Sequence, residues 1–263
     1  MRDILSDLGP ELSDADPVRR AQIQMKKPQI KRFYTVVSME PEADRVSVRL
    51  DGRSVKTPAK KTLTLPNAAA AELVAAEWRA QGEIIEPATM PVTRLANTAI
   101  DAIADQADDV FADIVRYAGN DLLCYRAETP QELVDRQAQA WDPVLEWLAT
   151  THGARFIRAS GIVHQAQPED AIAAFRHALS RYATPFELAS LHVVTAMTGS
   201  AMLALAFADQ HLSLDEIWQI AHLDEDWTDE HWGADMEAQA RRVARYRDID
   251  AAARLFNALR PAK

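Results

Sequence analysis

Between Arg45 and Leu50 the apolar residues Val46, Val48 and Leu50 recur at every second position, the period of a strand with one buried face. Just upstream, Phe33, Tyr34, Val36 and Val37 supply the aromatic and β-branched side chains that strands favour. Asp51-Gly52 follows at once, a pair that tolerates the positive φ angles of a tight hairpin. Ser54 to Thr57 therefore reads as a return strand, and Thr62 to Leu65 alternates again before Pro66. Residues 31–66 are predicted to form a small antiparallel sheet.

After Pro66 the period changes. Ala71, Val74, Ala75 and Trp78 stand at helical spacing within 68–81, and Gly82 lies just past the end. Pro87 and Pro91 punctuate an extended link, and helical spacing resumes at Leu95 and runs on through Ile100, Ile103, Val110, Phe111 and Ile114. Thr129-Pro130-Gln131-Glu132 joins a cap-type threonine to a proline suited to a first turn, and so opens a helix to about Thr150. Further helices are expected near 168–182, 185–209, 213–231 and 233–258, with Gly233 breaking the last two, and a short β-prone piece at 155–163. The fold class is α+β, with a small β-rich N-terminal domain followed by a larger all-helical C-terminal domain. The expected divisions are a loosely ordered arm at 1–30, a β-rich domain with one helix at 31–90 and a helical domain at 91–263. The boundary is placed between Glu86 and Arg94, where two prolines coincide with the change of period.

The 263 residues are 48% hydrophobic and 26% charged, enough to bury a real core. A formal net charge of -10 opposes non-specific attraction to nucleic acid or to an anionic membrane. The richest apolar stretch, around Ala201 to Ala208, stops at Asp209, so no membrane insertion is expected. The acidic N-terminus argues against an organellar presequence, which points to a bacterial cytoplasm, or to the mitochondrial matrix for a processed eukaryotic form. With Cys124 as the only cysteine, there is neither an intrachain disulfide nor a cysteine-rich zinc site.

Candidate chemistry is sparse. The closest glycines, Gly153 and Gly161, are eight positions apart, which excludes both GxGxxG and GxxxxGK[ST] phosphate loops, and neither GxSxG nor HExxH occurs. Leu122, Leu123 and Tyr125 surround Cys124 with apolar bulk, which blunts a thiol. His222 and Glu225 share a helix face, the one local pair resembling a metal site, but no second helix offers matching ligands. The densest stretch is 217–242, where Trp218, Trp227 and Trp232 interleave with Asp224, Glu225, Asp226, Asp229, Glu230, Asp235 and Glu237. It reads either as a helix with a solvated acidic face or as a recognition surface, since tryptophan gives contact area and carboxylates steer a basic partner. Asp235, Glu237, Arg241 and Arg242 can also pair with one another along the helix.

Four segments carry a resemblance: LDGRSVKTPAKKTLTLP (50–66), AAEWRAQGEIIEPATMPVTRLANTAID (75–101), NDLLCYRAETPQELVDRQAQAWDPVLEWL (120–148) and DEDWTDEHWGADMEAQARR (224–242). Together they resemble the hallmark segments of the ATP synthase assembly chaperones that act on the alpha subunit of the catalytic head, in mitochondria and alpha-proteobacteria. The resemblance implies a non-enzymatic chaperone, monomeric when free and without a cofactor, that binds the free alpha subunit before it meets its beta neighbour. Partner-binding candidates are Trp232, Asp235, Glu237, Arg241 and Arg242, with Asp224 and Glu225 behind them. One departure stands out: Ala234 follows Trp232-Gly233 where the pattern has an acidic residue. A helical enzyme using the 222–237 carboxylates and His222 for acid–base or metal chemistry is the alternative, and a permanent structural subunit a third.

Overall fold

The computed structural model describes residues 30–160 and 165–260. All but the last residue of the expected N-terminal arm, and the end of the β-prone piece at 161–163, lie outside the described residues. The chain divides into two compact units, one running to Asp101 and taking up the chain again at Ala258, the other Ala102–Asn257.

The first unit is built on a four-stranded antiparallel sheet, β1 Val37–Glu42, β2 Arg45–Leu50, β3 Arg53–Ser54 and β4 Thr64–Leu65, in which β2 pairs with each of the other three. The alternation in β2 holds in part: Val48 and Leu50 are buried and Arg45 faces water, but Val46 is only half-buried and Ser47, on the other face, is buried as well. Asp51 and Gly52 take φ 47° and 78°, which closes a two-residue hairpin that pairs Leu50 with Arg53. The Asp51 carboxylate also accepts from the Thr35 N–H and hydroxyl and from the Val36 N–H at 2.8–3.2 Å. That tether holds Phe33 to Val36 beside the hairpin rather than in a strand, and leaves Phe33 and Val36 exposed. Strand β1 therefore lies later than the aromatic residues suggested and contains Pro41, which an edge strand tolerates.

Helix α1, Ala68–Arg79, is capped by Asn67, whose side chain accepts from the Ala70 N–H, and it packs on β1 and β2 through buried Ala71 and Val74. The proline link is a 3-10 turn, Pro87–Thr89, braced by buried Gln81, which donates to the Thr89 hydroxyl and accepts from the Glu86 N–H. Helix α2, Pro91–Asp101, then begins on a proline, four residues before Leu95. Its first turn is capped from α1: the Glu77 carboxylate accepts from the Val92 and Thr93 N–H groups and the Thr93 hydroxyl at 2.7–2.8 Å. This bond set keeps the link and α2 inside the first unit. Glu77→Ala is expected to cost about 1–3 kcal/mol, because charged hydrogen bonds to three donors are lost at once, and the urea midpoint of the variant is the check.

The second unit is helical: α3 Ala107–Ala118, α4 Gln131–Thr151, α5 Glu169–Leu179, α6 Pro185–Thr198, α7 Ala201–Ala208, α8 Leu214–Ala221, α9 Leu223–Trp232 and α10 Met236–Ala258. Every residue of α7 is buried, the pattern of a helix surrounded on all sides, and α3, α4, α6 and α8 pack against it. Thr129 does not cap α4; Pro130 occupies the cap position after a cis peptide bond, with no side-chain cap. Among the described residues the β-prone piece supplies one short strand, Ala159–Ser160, which pairs in parallel with Tyr125–Arg126. No helix of the described residues is long and apolar enough to cross a membrane.

Candidate functional site

The 217–242 stretch folds into the end of α8, all of α9 and the start of α10. Three carboxylates, Asp224, Glu225 and Asp226, fill the first turn of α9, where the helix dipole favours negative charge. Helix α9 ends at Gly233, whose φ of 87° suits a residue without a side chain, and α10 starts three residues on.

Most of the predicted charges already have partners. Asp235 receives the Glu237 N–H at 2.9 Å on its side chain and the Gln239 N–H on its carbonyl, so it caps α10. Glu237 and Arg241 form an exposed i,i+4 pair at 2.8 Å. Arg242 reaches across to Asp226 from a half-buried position. Asp224 accepts from Gln137 of α4 at 2.8 Å, and Arg136 makes a two-pronged pair with Glu230 at 2.6 and 2.9 Å. The Glu225 carboxylate is held more loosely, 3.7 Å from Arg245, which donates to the Met197 carbonyl at 2.7 Å. All seven predicted residues lie on α9, on α10 or at the break between them, and the charged ones are largely satisfied there. Trp232 is the exception, 76% exposed. Sequence reasoning missed Arg136, Gln137 and Arg245, because long-range pairing leaves no local signal.

His222 does not form a working acid–base centre with Glu225. Its ring is 2% exposed, lies against Trp218 with centroids 3.8 Å apart, and is bound through Nδ1 to the Trp218 carbonyl at 2.8 Å. Nε2 stands 4.0 Å from Glu225, beyond hydrogen-bond range, and burial lowers the imidazole pKa. Among the described residues no three His, Cys, Asp or Glu side chains gather as a metal site requires. Cys124 is buried, and desolvation with Asp121 nearby pushes its thiol up to about 12.

Around α9 the surface carries open hollows. One of about 380 Å³ lies between the start of α4 and α9, walled by Pro130, Leu133, Trp227 and Trp232, with Asp224 at its side. Another of about 500 Å³ runs between α9 and α10, with Asp224, Glu225 and Asp229 facing Ala238, Arg241 and Arg242. Such open, mixed surfaces suit contact with a macromolecule better than enclosure of a small substrate.

A small strand-containing unit followed by a helical unit, with one exposed tryptophan among paired charges at the α9–α10 break, defines an α+β protein without a metal cluster among its described residues. Comparison with known proteins identifies the kind. The profile of the ATP12 chaperone protein family matches residues 31–149. The crystal structure of Atp12 from Paracoccus denitrificans aligns with a TM-score of 0.83 at 35% identity, over 88% of this chain and 98% of that one. A candidate chaperone of Agrobacterium tumefaciens aligns at 0.87 and 51% identity, covering 98% and 97%. The mitochondrial protein atp12 of Schizosaccharomyces pombe is 22% identical over 227 residues, 82% of this chain and 78% of the relative. The chain belongs to the ATP12 chaperone family, and its role is that of a chaperone in ATP synthase assembly.

Proposed function

We propose that the protein binds the free alpha subunit of ATP synthase, covers the apolar surface that would otherwise aggregate, and yields it to the beta subunit without catalysing a reaction. The site is the α9–α10 surface with Trp232, Asp235, Glu237, Arg241 and Arg242, flanked by Asp224 and Glu225. The observation that carries this reading is Trp232: an indole three-quarters exposed, at the break between two helices most of whose facing charges are paired. Tryptophan in such a setting costs solvation when alone and gives large contact area when covered. A free subunit of a ring exposes apolar interface until its neighbour arrives, and reversible capping of that interface needs no nucleotide. The compartment follows the client: bacterial cytoplasm, or mitochondrial matrix for a eukaryotic chain. Light scattering of alpha subunit refolding by dilution, without ATP, is the test. Scattering should fall with added protein and level off near stoichiometric amounts, and undiminished scattering at molar excess would overturn the reading.

A further inference from the structure

Helix α10 enters the structure by an exposed route. From Met236 to Asp248 it has no buried residue, and only from Ile249 on does it sink into the core. In those first three turns the side toward α9 carries Ala238 with Arg241, Arg242 and Arg245, Arg242 being held by Asp226 and Arg245 standing near Glu225. At 100° per residue, Met236, Ala240 and Val243 fall together on the opposite side. Met236 is 85% and Val243 56% exposed, Ala240 is exposed, and Trp232 stands just before the break. A solvent-facing helix side is expected to be polar; here its first two turns present Met236, Ala240 and Val243 to water, and a charge, Arg247, joins that side only one turn later.

We propose that this outward stripe of Met236, Ala240 and Val243, together with the exposed Trp232 before the helix break, is the contact that holds the client, and that the charged residues beside it build and steer rather than bind. The inference rests on the chaperone reading above and assigns the binding energy within that site. Methionine and tryptophan suit the task, because one adapts to an irregular surface and the other supplies a large rigid one. Helix α9 and Asp235 fix the start of α10 so that the stripe is presented ready-made.

The occupant is a partner surface with an apolar centre and a basic rim. Residues 102–257 carry 25 carboxylates against 12 arginines and no lysine. That excess repels a second copy of the same unit and attracts a basic surface, so self-association through the stripe is opposed while a basic client is steered toward it. The exposed Glu237–Arg241 pair, closed on itself, contributes little to the contact.

The test measures affinity for isolated alpha subunit with three full-length proteins: the parent, the stripe variant Met236→Gln/Val243→Gln, and the pair variant Asp250→Gln/Arg254→Gln, which alters an ion pair of α10 outside the proposed site. Glutamine keeps helix propensity, and both altered apolar side chains are exposed, so thermal unfolding should be unchanged. The stripe variant should bind about tenfold or more weakly, as loss of central apolar contacts does, and the pair variant within about threefold of the parent. If the parent binds and the stripe variant binds equally well, the inference falls and the chaperone reading stands. Should the parent fail to bind alpha subunit, both fall. Sedimentation that shows the parent dimeric and the stripe variant monomeric would give the stripe to a second copy and also overturn the proposal.

Discussion

Replacing Trp141 by alanine is expected to lower the unfolding free energy of the helical unit by about 3–5 kcal/mol, the usual cost of removing a buried tryptophan. Trp141 is fully buried in α4 among the largest side chains of the core, with the Arg126 guanidinium over its ring at 5.1 Å. Its indole N–H also donates to the Ile220 carbonyl at 3.0 Å. That carbonyl belongs to the last turn of α8, where the chain breaks at His222 before α9 begins. The bond gives a freed carbonyl its partner, so one side chain both fills the core and fixes the helix break that sets the direction of α9. Trp141→Phe separates the two roles: it keeps most of the packing, loses the donor, and should cost about 1–2 kcal/mol. Urea titrations followed by far-ultraviolet circular dichroism measure both. A loss below about 1 kcal/mol for the alanine variant would mean that the core closes over the space, against the close packing expected around a fully buried indole.

The same break shows where sequence patterns run out. The sequence over 213–231 reads as one helix because no glycine or proline interrupts it on either side of His222. The interruption carries one tertiary partner, the Trp141 indole on the Ile220 carbonyl across 79 positions, which leaves no local signature, and one local contact, the His222 ring turned back on the Trp218 carbonyl. The break at Gly199-Ser200, within the helix expected at 185–209, was legible in principle. Gly199 takes φ 68°, and Ser200 accepts from the Leu203 N–H as an ordinary cap. The helix expected to run on from Leu95 stops at Asp101, passes through a 3-10 turn at Ile103–Asp105 and restarts at Ala107. Strand β2 and its hairpin were readable because alternation and Asp51-Gly52 are local, whereas the Asp51 tether that displaces Phe33 from a strand is a side-chain bond across 16 positions. At the candidate site, composition singled out one stretch but could not show that most of its charges are paired within the fold. Pairing with Arg136, Gln137 and Arg245 satisfies carboxylates that look available in a one-dimensional reading. The exposed apolar side of α10 has a spacing signature, at 236, 240 and 243, but spacing alone does not tell which side of an amphipathic helix faces water.

Asp121 should give the helical unit a pH dependence of the sign opposite to that of its surface carboxylates. It is fully buried, accepts from the Leu123 N–H at 3.1 Å and the Met202 N–H at 3.0 Å, and also takes hydrogen bonds from Ser200 and Ala201. It thereby ties the Leu122–Cys124 turn to the start of α7. Burial dominates and raises its pKa to about 6, and the hydrogen bonds only partly offset that rise. A carboxyl whose folded pKa lies above its unfolded one binds its proton more tightly in the folded state. Its contribution to stability is full below about pH 4 and is lost as pH rises through about 6. Glu216 and Glu230 act the other way: hydrogen bonds from Ser213 and from Arg136 hold them below the usual range, so their contribution is lost on acidification. The two trends overlap in the parent protein, and Asp121→Asn isolates the buried one, since asparagine keeps the shape and a constant offset but does not titrate. The parent-minus-variant difference in unfolding free energy should fall by on the order of 2–3 kcal/mol between pH 4 and pH 7. Urea titrations at intervals of half a pH unit give that difference curve. A flat curve would mean that Asp121 ionises in the folded protein as easily as in the unfolded chain, in which case its four donors compensate fully for its burial.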